Sequence, residues 1–512
     1  MNRLITPLLL SALFLADFST VSAQTSQSDE MAFKVKNEAF NNSKIGDIAT
    51  FMTDRLGSRL AASKMKLRAD SLVQIKLGEL GLENVRKEFA YEFPKGGWDN
   101  ERTYVAMTIP YYCSFAANPK AWTGSTAGLV KGECVALDIK THADIEKYRG
   151  KLGGKIVVMP EQSKYELSFD PSASRYTDEQ LEEMAKDPRP TNPWGRWRAR
   201  TEVSLKGVTD SLIIAERPLA VIVGDGAFNV PRSKGVRYKA GDPEPIPEIT
   251  LPIEDHGRML RLLKAGEKVA MELDVRNSFS DYQKINNIIA EIPGTDPKLK
   301  KEVVMLGAHL DSWHGGTGGA DNASGCITMM EAMRILKALG IKPKRTIRLA
   351  LWGGEEQGLY GSRGYSRSYL YDNEKKAKKD GYDKFALYLN MDNGSGKFRG
   401  IYLEENDMAF PFFEAWKKPL ESLGFTTLSP RKTGSTDHVI FSSIGLPAYQ
   451  FIQDPLDYFR TYHSVMDTYE RLSLDDLKVD AAIAAWLAYC AAMDDNRIPF
   501  KPIPTPSPQS RK

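Results

Sequence analysis

The stretch from Lys301 to Glu356 constrains the fold more than any other part of the sequence. Residues Val303–Leu306 form the short apolar run of a fully buried strand, and Thr346–Trp352 form a second one. Between them, apolar residues recur at helical spacing from Ile327 to Leu339, and Gly340 marks the end of the predicted helix. The polar side chains that follow the two strands are His309, Asp311, Asp321, Glu355 and Glu356. This order of elements predicts an open α/β sheet, whose ligand crevice lies at the carboxyl ends of its strands.

Two further predicted strands are followed by polar side chains of the same kinds. Residues 385–391 lead into Asp392, and residues 447–452 lead into a loop that contains His463. The donors collected at one edge of the predicted sheet are His309, His463, Asp321, Glu355, Glu356 and Asp392. Imidazole nitrogens and carboxylate oxygens suit zinc. Because this set exceeds what one tetrahedral zinc needs, the sequence predicts two zinc ions that share a bridging carboxylate, with one carboxylate left as a base.

The chain length of 512 residues exceeds one ordinary core and predicts two domains. Between Tyr104 and Pro252, short β-like runs alternate with glycine, proline and charged turns, which indicates a β-rich domain inserted into an α/β domain. Strands at 269–275 and 284–292 are predicted to begin the sheet that the stretch 301–356 continues. Residues 176–200, charged and proline-bearing, are interpreted as an excursion or lid.

The predicted fold is therefore a mixed, mostly parallel α/β sheet flanked by helices, with a smaller β-rich inserted domain. The predicted segments are a signal peptide at 1–23, the first part of the α/β domain at 24–115, the insert at 116–252, the rest of the α/β domain at 253–496 and a disordered tail at 497–512.

The first 23 residues predict export to the cell exterior or the periplasm. They contain one arginine, an apolar stretch at 8–15 and Val-Ser-Ala before Gln24, which is the pattern of a cleaved signal peptide. An anchoring helix is the alternative, but the apolar stretch is too short to span a bilayer, so the mature chain is predicted to carry no membrane anchor.

The net charge and the cysteine count limit which partners and how many disulfide bonds are expected. The net charge of +3 gives no indication of a nucleic-acid partner. Four cysteines in so long a chain exclude a disulfide framework, although Cys113 and Cys134 could form one bridge.

The ordered motifs HLDSWH, GADNASG, GGEEQGLYGS, NMDNGSG, STDHVIF and YHSVMDT resemble those of the M28 family of dizinc exopeptidases. The resemblance covers about residues 285–493, and the segment GKLGGKIVVMP is similar to the protease-associated domain that several members carry. It implies a zinc exopeptidase-like fold, two zinc ions per chain and a peptide substrate.

The resemblance also implies a role for each site residue. Metal binding would use five positions: His309 and Asp392 for one zinc, Glu356 and His463 for the other, and Asp321 as the bridge. Glu355 would be the general base that takes a proton from the attacking water. Asp311 would hold the second imidazole nitrogen of His309. Tyr462 would help to stabilise the oxyanion, as a phenol at this position does in the carboxypeptidase branch.

Two other histidines lie near the motifs. His314, beside Trp313, is interpreted as a residue that lines the cleft. For His438, in the motif Ser-Thr-Asp-His, a role in supporting the site and a role in contacting substrate are both open.

The resemblance implies a zinc-dependent exopeptidase, and the signal-peptide pattern of residues 1–23 predicts that it is secreted. GADNASG resembles the aminopeptidase version of its motif and favours an aminopeptidase, whereas DYFRTYHSVMDT resembles the carboxypeptidase versions and leaves a carboxypeptidase or dipeptidase open. A non-catalytic receptor-like protein and a glutaminyl cyclase are further alternatives. The former loses ligands that this sequence retains, and the latter uses one zinc and normally lacks the insert. Because every matching ligand follows Ile285, the insert is expected to cover the cleft and narrow substrate choice.

Overall fold

The computed structural model describes residues 29–161, 165–186 and 203–503. The predicted signal peptide, residues 187–200 of the predicted lid and the tail beyond residue 503 lie outside these ranges. Within them, every helix is too short or too polar to cross a membrane.

The helices are α1 (29–41), α2 (Ile45–Thr50), α3 (Lys64–Glu79), α4 (His142–Ile145), α5 (Asp178–Lys186), α6 (Val203–Glu216), α7 (Ile253–Lys264), α8 (Ser324–Ala338), α9 (Tyr360–Tyr365), α10 (Phe410–Lys417), α11 (His438–Ser442), α12 (Tyr458–Thr461) and α13 (Leu474–Met493). The strands are β1 (Glu83–Glu92), β2 (Gly97–Ile109), β3 (Cys113–Ser114), β4 (Asn118–Pro119), β5 (Val130–Ala136), β6 (Ile156–Val158), β7 (Ala220–Gly224), β8 (Glu248–Leu251), β9 (Ala270–Ser280), β10 (Lys284–Ile292), β11 (Val303–His309), β12 (Thr346–Trp352), β13 (Tyr371–Asp372), β14 (Ala377–Lys378), β15 (Phe385–Asn390), β16 (Phe398–Tyr402), β17 (Thr427–Ser429) and β18 (Ala448–Gln453).

A mixed eight-stranded sheet forms the α/β domain, with the order β1-β10-β12-β11-β15-β18-β16-β17. Its four central strands, β12, β11, β15 and β18, are parallel, while β10 and β16 flank them in the antiparallel sense. This arrangement confirms the predicted mixed, mostly parallel sheet. The parallel register sends the chain ends that follow these four strands to one edge of the sheet.

Helices cover both faces of this sheet, which explains why its central strands are apolar along their whole length. One face packs against α8 and α13, and α8 is buried along nearly all of its length. Gly340 ends the helical segment with a φ of +63°, a conformation that glycine adopts without strain. The other face carries an aromatic cluster in which the rings of Tyr388 and Phe441 lie 4.9 Å apart.

A second eight-stranded sheet has the order β3-β2-β9-β5-β6-β7-β8-β4. The prediction that residues 269–275 begin the sheet of the α/β domain is wrong, because β9 pairs antiparallel with β2 and β5. Helix α7 also packs against this second sheet, on β5, β6 and β7. The sheet therefore draws on residues on both sides of the predicted insert at 116–252.

The chain passes between the two sheets at two points that lie side by side. Residues 93–96 join β1 to β2, and residues 281–283 join β9 to β10. At these crossings the amide of Phe93 donates a hydrogen bond to the carbonyl of Gln283, with a distance of 2.7 Å. The second sheet thus begins and ends at a single place on the α/β domain.

Residues 174–186, which include the described part of the predicted lid, contact the α/β domain. Ser174 and Leu456 exchange two main-chain hydrogen bonds of 3.1 and 2.9 Å. The guanidinium of Arg175 pairs with Asp454 at 2.9 Å and with Asp476 at 2.8 Å. Helix α5 follows directly and packs against β17. The four cysteines, including Cys113 and Cys134, are free thiols.

Candidate metal centre

The parallel strands bring the predicted metal ligands to one edge of the sheet. His309 is the last residue of β11, and Asp392 follows β15. Glu356 follows β12 after a glycine pair, and His463 follows α12, beyond β18. Asp321 lies in the turn Gly319–Ala323, directly before α8, and its own backbone angles are non-helical. These loops converge because their strands are neighbours in the sheet.

Three of the ligands form one group around the imidazole of His309. Its Nε2 atom lies 3.1 Å from Oδ1 of Asp321 and 3.7 Å from Oδ1 of Asp392. All three side chains are buried. The second group surrounds Nε2 of His463, which lies 3.1 Å from Oδ2 of Asp321 and 2.9 Å from Oε2 of Glu356.

The two groups share Asp321, whose two carboxylate oxygens face different histidines. Ligands at ~2.0–2.2 Å from a tetrahedral zinc lie roughly 3.3–3.6 Å from one another. The observed separations of 2.9 to 3.7 Å between donor atoms are close to this spacing. The donor set therefore fits two cations joined by one carboxylate.

The charges at the site also fit cations. Burial raises the pKa of Glu356 to about 7, and the adjacent Asp321 adds to that rise. Burial by itself would lower the pKa of His309 and His463, but the neighbouring carboxylates raise both well above their usual range. Oε1 of Glu356 is buried and has no hydrogen-bond partner among the described residues. Negative charge is thus concentrated where burial makes it costly, and a bound cation would offset that cost.

The turn that carries Asp321 is held by Asp467. One carboxylate oxygen of Asp467 accepts a hydrogen bond from the amide of Ala320 at 2.6 Å, and the other accepts from the amide of Asp321 at 3.1 Å. The main-chain carbonyl of Asp467 accepts from the amides of Thr317 and Gly319. Asp467 therefore ties the loop that carries His463 to the turn that carries the bridging position.

A fully buried arginine, Arg59, supports the same loop from the other side. Its guanidinium donates hydrogen bonds to main-chain carbonyls on two segments of the chain. The acceptors are Leu310, Thr317, Gly318, Met52 and Gly57. A charged group placed among carbonyl oxygens fixes the path of residues 310–318 beside the site.

Asp311 lies beside His309, but its contacts differ from the expected ones. The imidazole Nδ1 of His309 lies 3.0 Å from the main-chain carbonyl of Asp311 and 3.8 Å from its carboxylate. The carboxylate instead accepts hydrogen bonds from the amides of Glu355 at 3.1 Å and Glu356 at 3.3 Å. The side chain of Asp311 thus orients the glutamate pair, and its main chain orients the histidine.

Glu355 stands apart from both ligand groups and is suited to proton transfer. Burial raises its pKa well above the usual range, with Asp392, Asp437 and Glu356 adding to the rise and His309 opposing it. A carboxylate with a raised pKa is a stronger base than an ordinary glutamate.

Tyr462 lies beside His463, and the centroids of the two rings are 4.5 Å apart. Its ring stacks on Tyr458 at 5.2 Å. The guanidinium carbon of Arg232 lies over the Tyr462 ring, 4.8 Å from its centroid. Arg232 follows β7 and is part of the second sheet's domain, so that domain reaches the metal-ligand loop directly.

The segment 231–235 pairs with the loop that carries His463. The amide of Ser233 donates to the carbonyl of His463 at 2.5 Å, and Arg232 forms an antiparallel bridge with Ser464. The hydroxyl of Ser233 accepts hydrogen bonds from the amide of Gly315 at 3.0 Å and from the side chain of Asn118 at 2.8 Å. The second domain thus braces both loops at the site.

The two histidines of open role contact protein groups outside the ligand set. Nε2 of His314 lies 2.7 Å from the carbonyl of Pro119, and its ring meets Trp98 edge to face. Burial lowers the pKa of His314 to about 4. His438 is fully buried, with Nε2 3.2 Å from a carboxylate oxygen of Glu404.

The sequence analysis gave no role to several residues that support the site. Asp437 is fully buried, accepts a hydrogen bond from Ser362 at 2.5 Å, and has its pKa raised by burial to about 7. It lies in the motif STDHVIF, and Asp467 lies in YHSVMDT, so both could have been singled out as candidates from the motifs. Arg59 and Ser233 lie in no motif, because their partners are remote in sequence.

Comparison with known proteins finds a family model that matches the segment carrying the candidate metal centre. Residues 287–488 match the model of peptidase family M28. Carboxypeptidase Q of Mus musculus is 26% identical over 452 residues, which are 88% of this chain and 85% of that protein.

Solved structures share the fold. A peptidase M28 precursor from Shewanella amazonensis superposes with a TM-score of 0.67 at 24% identity, over 93% of this chain and 99% of that chain. BSAP, a zinc aminopeptidase from Bacillus subtilis, superposes with a TM-score of 0.54 at 20% identity, over 88% and 95% of the two chains. The ordered motifs and all of the converging donors lie within the segment that matches the model of peptidase family M28, and this match together with the similarity to carboxypeptidase Q supports a metallo-exopeptidase.

Proposed function

We propose that the chain is a secreted exopeptidase that cleaves short peptides at a dizinc centre. The observation that carries the proposal is the position of Asp321, whose two oxygens lie 3.1 Å from the Nε2 atoms of two different histidines. In this proposal His309 and Asp392 hold one zinc, Glu356 and His463 hold the other, and Asp321 bridges them. Export rests on the signal-peptide pattern of residues 1–23.

The chain's own residues then perform proton transfer and orientation. When bound, zinc lowers the pKa of water and polarises a peptide carbonyl. Glu355 accepts the proton of the attacking water and passes it to the leaving amine. Asp311 holds the main chain of Glu355 in place. Tyr462, beside His463, offers its hydroxyl to the oxygen that gains negative charge.

Which end of the peptide is recognised divides the proposal into two candidates. Aminopeptidase activity is supported by the loop GADNASG, which resembles the aminopeptidase version of its motif. Carboxypeptidase or dipeptidase activity is supported by the similarity to carboxypeptidase Q, which extends over 88% of the chain. A dipeptidase would satisfy both, because a dipeptide has its only peptide bond next to both termini.

Metal stoichiometry tests the dizinc proposal. The purified chain is expected to bind two zinc ions, to lose activity on chelation and to regain it on addition of zinc. His309→Ala should lose about one zinc per chain, whereas Asp321→Ala should lose more because it removes a ligand from both ions. His142→Ala, at an exposed histidine outside the site, serves as the control and should retain two. Equal loss of a single zinc from the His309 and Asp321 variants would contradict the bridge.

A further inference from the structure

The loop that carries His463 contains two non-glycine residues in a backbone conformation that favours glycine. We call residues 454–463 the His463 loop. Leu456 has a φ of +45°, and His463 itself has a φ of +56°. A residue with a side chain costs free energy in this left-handed region, so it persists there only where neighbouring structure holds it. The loop therefore needs outside support to keep the metal ligand in place.

A main-chain contact supports each of these two residues. The carbonyl of His463 accepts a hydrogen bond from the amide of Ser233, and Leu456 exchanges two main-chain hydrogen bonds of 3.1 and 2.9 Å with Ser174. Ser174 lies between β6 and β7, and Ser233 lies between β7 and β8. Both supports thus come from segments that connect strands of the second sheet.

Arg175 secures the contact made by its neighbour Ser174. The His463 loop begins at Asp454, whose carboxylate is fully buried. One oxygen of this carboxylate accepts a hydrogen bond from Arg175 at 2.9 Å, and the other accepts one from the amide of Tyr176 at 3.0 Å. The guanidinium of Arg175 also pairs with Asp476, in the first turn of α13, at 2.8 Å. One side chain therefore joins residues 174–176, the start of the loop and α13.

The charges around Arg175 make this contact hard to replace. Burial raises the pKa of Asp480 well above its usual range, and Asp476 and Asp454 add to that rise. Three acidic side chains are therefore close enough to interact. Arg399 pairs with Asp454 at 3.1 Å, whereas Arg175 pairs with both Asp454 and Asp476. Removal of Arg175 would leave buried carboxylates with less positive charge to offset them.

We propose that residues 174–176 are a positioning element for the metal ligand His463, with Arg175 as the residue that secures it. By holding Asp454 and Leu456, they keep the loop in the conformation that presents the imidazole to the metal. This inference rests on the proposed function, because it concerns the affinity of the proposed second zinc site. It gives the segments between strands of the second sheet a part in metal binding, in addition to the expected cover of the cleft.

Zinc affinity tests this role. Both zinc dissociation constants would be measured in metal-buffered solution for the wild type, Arg175→Met, Arg175→Lys and the control Arg276→Met. Arg276 is a matched control because its side chain is 58% exposed, against 49% for Arg175, and pairs with Asp274 on the second sheet. Arg175→Met should weaken one zinc about 10–100-fold, and leave the other within about threefold, because it loosens the support of a single ligand. Arg175→Lys should lie between, because it keeps the charge and loses the forked geometry.

A second substitution shows whether the effect passes through His463. In a His463→Ala background the second ion has already lost this ligand, so Arg175→Met should leave the affinity of the remaining ion unchanged. Equal weakening of both ions by Arg175→Met, a weakening that persists in the His463→Ala background, or the same effect from Arg276→Met would overturn the assignment.

Hydrogen exchange provides a measurement that needs neither zinc nor turnover. In the metal-free chain, the amides of residues 454–463 should exchange faster in Arg175→Met than in the wild type or Arg276→Met, with the amides of α8 unchanged. Equal exchange in all three proteins would refute the inference. If the wild type bound only one zinc or hydrolysed no dipeptide, the proposed function would fail, and hydrogen exchange would still decide the role of residues 174–176. Arg175→Lys serves for both measurements if Arg175→Met does not fold.

Discussion

Replacing Asp311 separates two roles that the structure divides between its side chain and its main chain. The fully buried carboxylate accepts hydrogen bonds of 3.1 and 3.3 Å from the amides of Glu355 and Glu356. A hydrogen bond to a charged group contributes about 1.5–3 kcal/mol to the free energy of unfolding. Asp311→Asn keeps the volume and one acceptor oxygen, so it should cost about 1.5–3 kcal/mol. Asp311→Ala loses both bonds and should cost about 3–6 kcal/mol.

The effect on function should fall on turnover first. The carbonyl that contacts Nδ1 of His309 belongs to the main chain and is present in both variants of Asp311. We therefore expect Asp311→Asn to keep the zinc bound by His309, while kcat falls about 10–100-fold because the Glu355 main chain is held less firmly. Urea unfolding, zinc content and kcat would be measured on the same preparations. If Asp311→Asn lost that zinc and excess zinc restored full kcat, the reasoning would be refuted.

The remaining predictions concern the glutamate pair and His314, which lies in the loop after β11. Glu355→Gln should lower kcat on the order of 10²–10⁴-fold with both zinc ions retained, whereas Glu356→Gln should weaken zinc binding and regain part of its activity in excess zinc. The reverse pattern would exchange the two roles. Because the pKa of His314 is lowered to about 4 by burial, the unfolded chain takes up a proton there before the folded chain does as pH falls below about 6.5. This group alone should therefore lower the free energy of unfolding by about 1–3 kcal/mol between pH 6.5 and 4. Urea unfolding in the presence of chelator should show a shallower decline with falling pH for His314→Gln than for the wild type. Identical pH profiles of the two proteins would contradict the assignment.

The sequence predicted the central strands and the donors they carry because these strands are buried on both faces. Such strands are unbroken apolar runs, as in residues 303–306 and 385–391, and a polar residue directly after the run stands out. Strand β1 was not predicted, because it lies at the edge of the sheet and its charged residues resemble a surface loop.

What the sequence could not supply was the identity of distant partners. Strand β9 was recognised as a strand, but its apolar content is equally consistent with pairing to β10 or to β2. Arg59 resembles a solvated residue near a helix until three of its carbonyl partners, which are more than 250 residues away, are placed around it. The contact between Arg232 and the ring of Tyr462 is likewise not predictable from the sequence, because the two residues are far apart in it.

The two chain crossings, at 93–96 and 281–283, determine whether the unit between them can be replaced by another. A hydrogen bond joins the two crossings, so the chain enters and leaves the second sheet at adjacent points. The unit between them could therefore be exchanged for another without disrupting the strand pairing of the α/β sheet. A replacement unit would have to supply two contacts that Ser233 now makes. Its amide donates a hydrogen bond to the main-chain carbonyl of His463, and its hydroxyl accepts one from the amide of Gly315. An exchanged unit is therefore expected to preserve the metal centre only if it also carries a segment that supports the loop of His463.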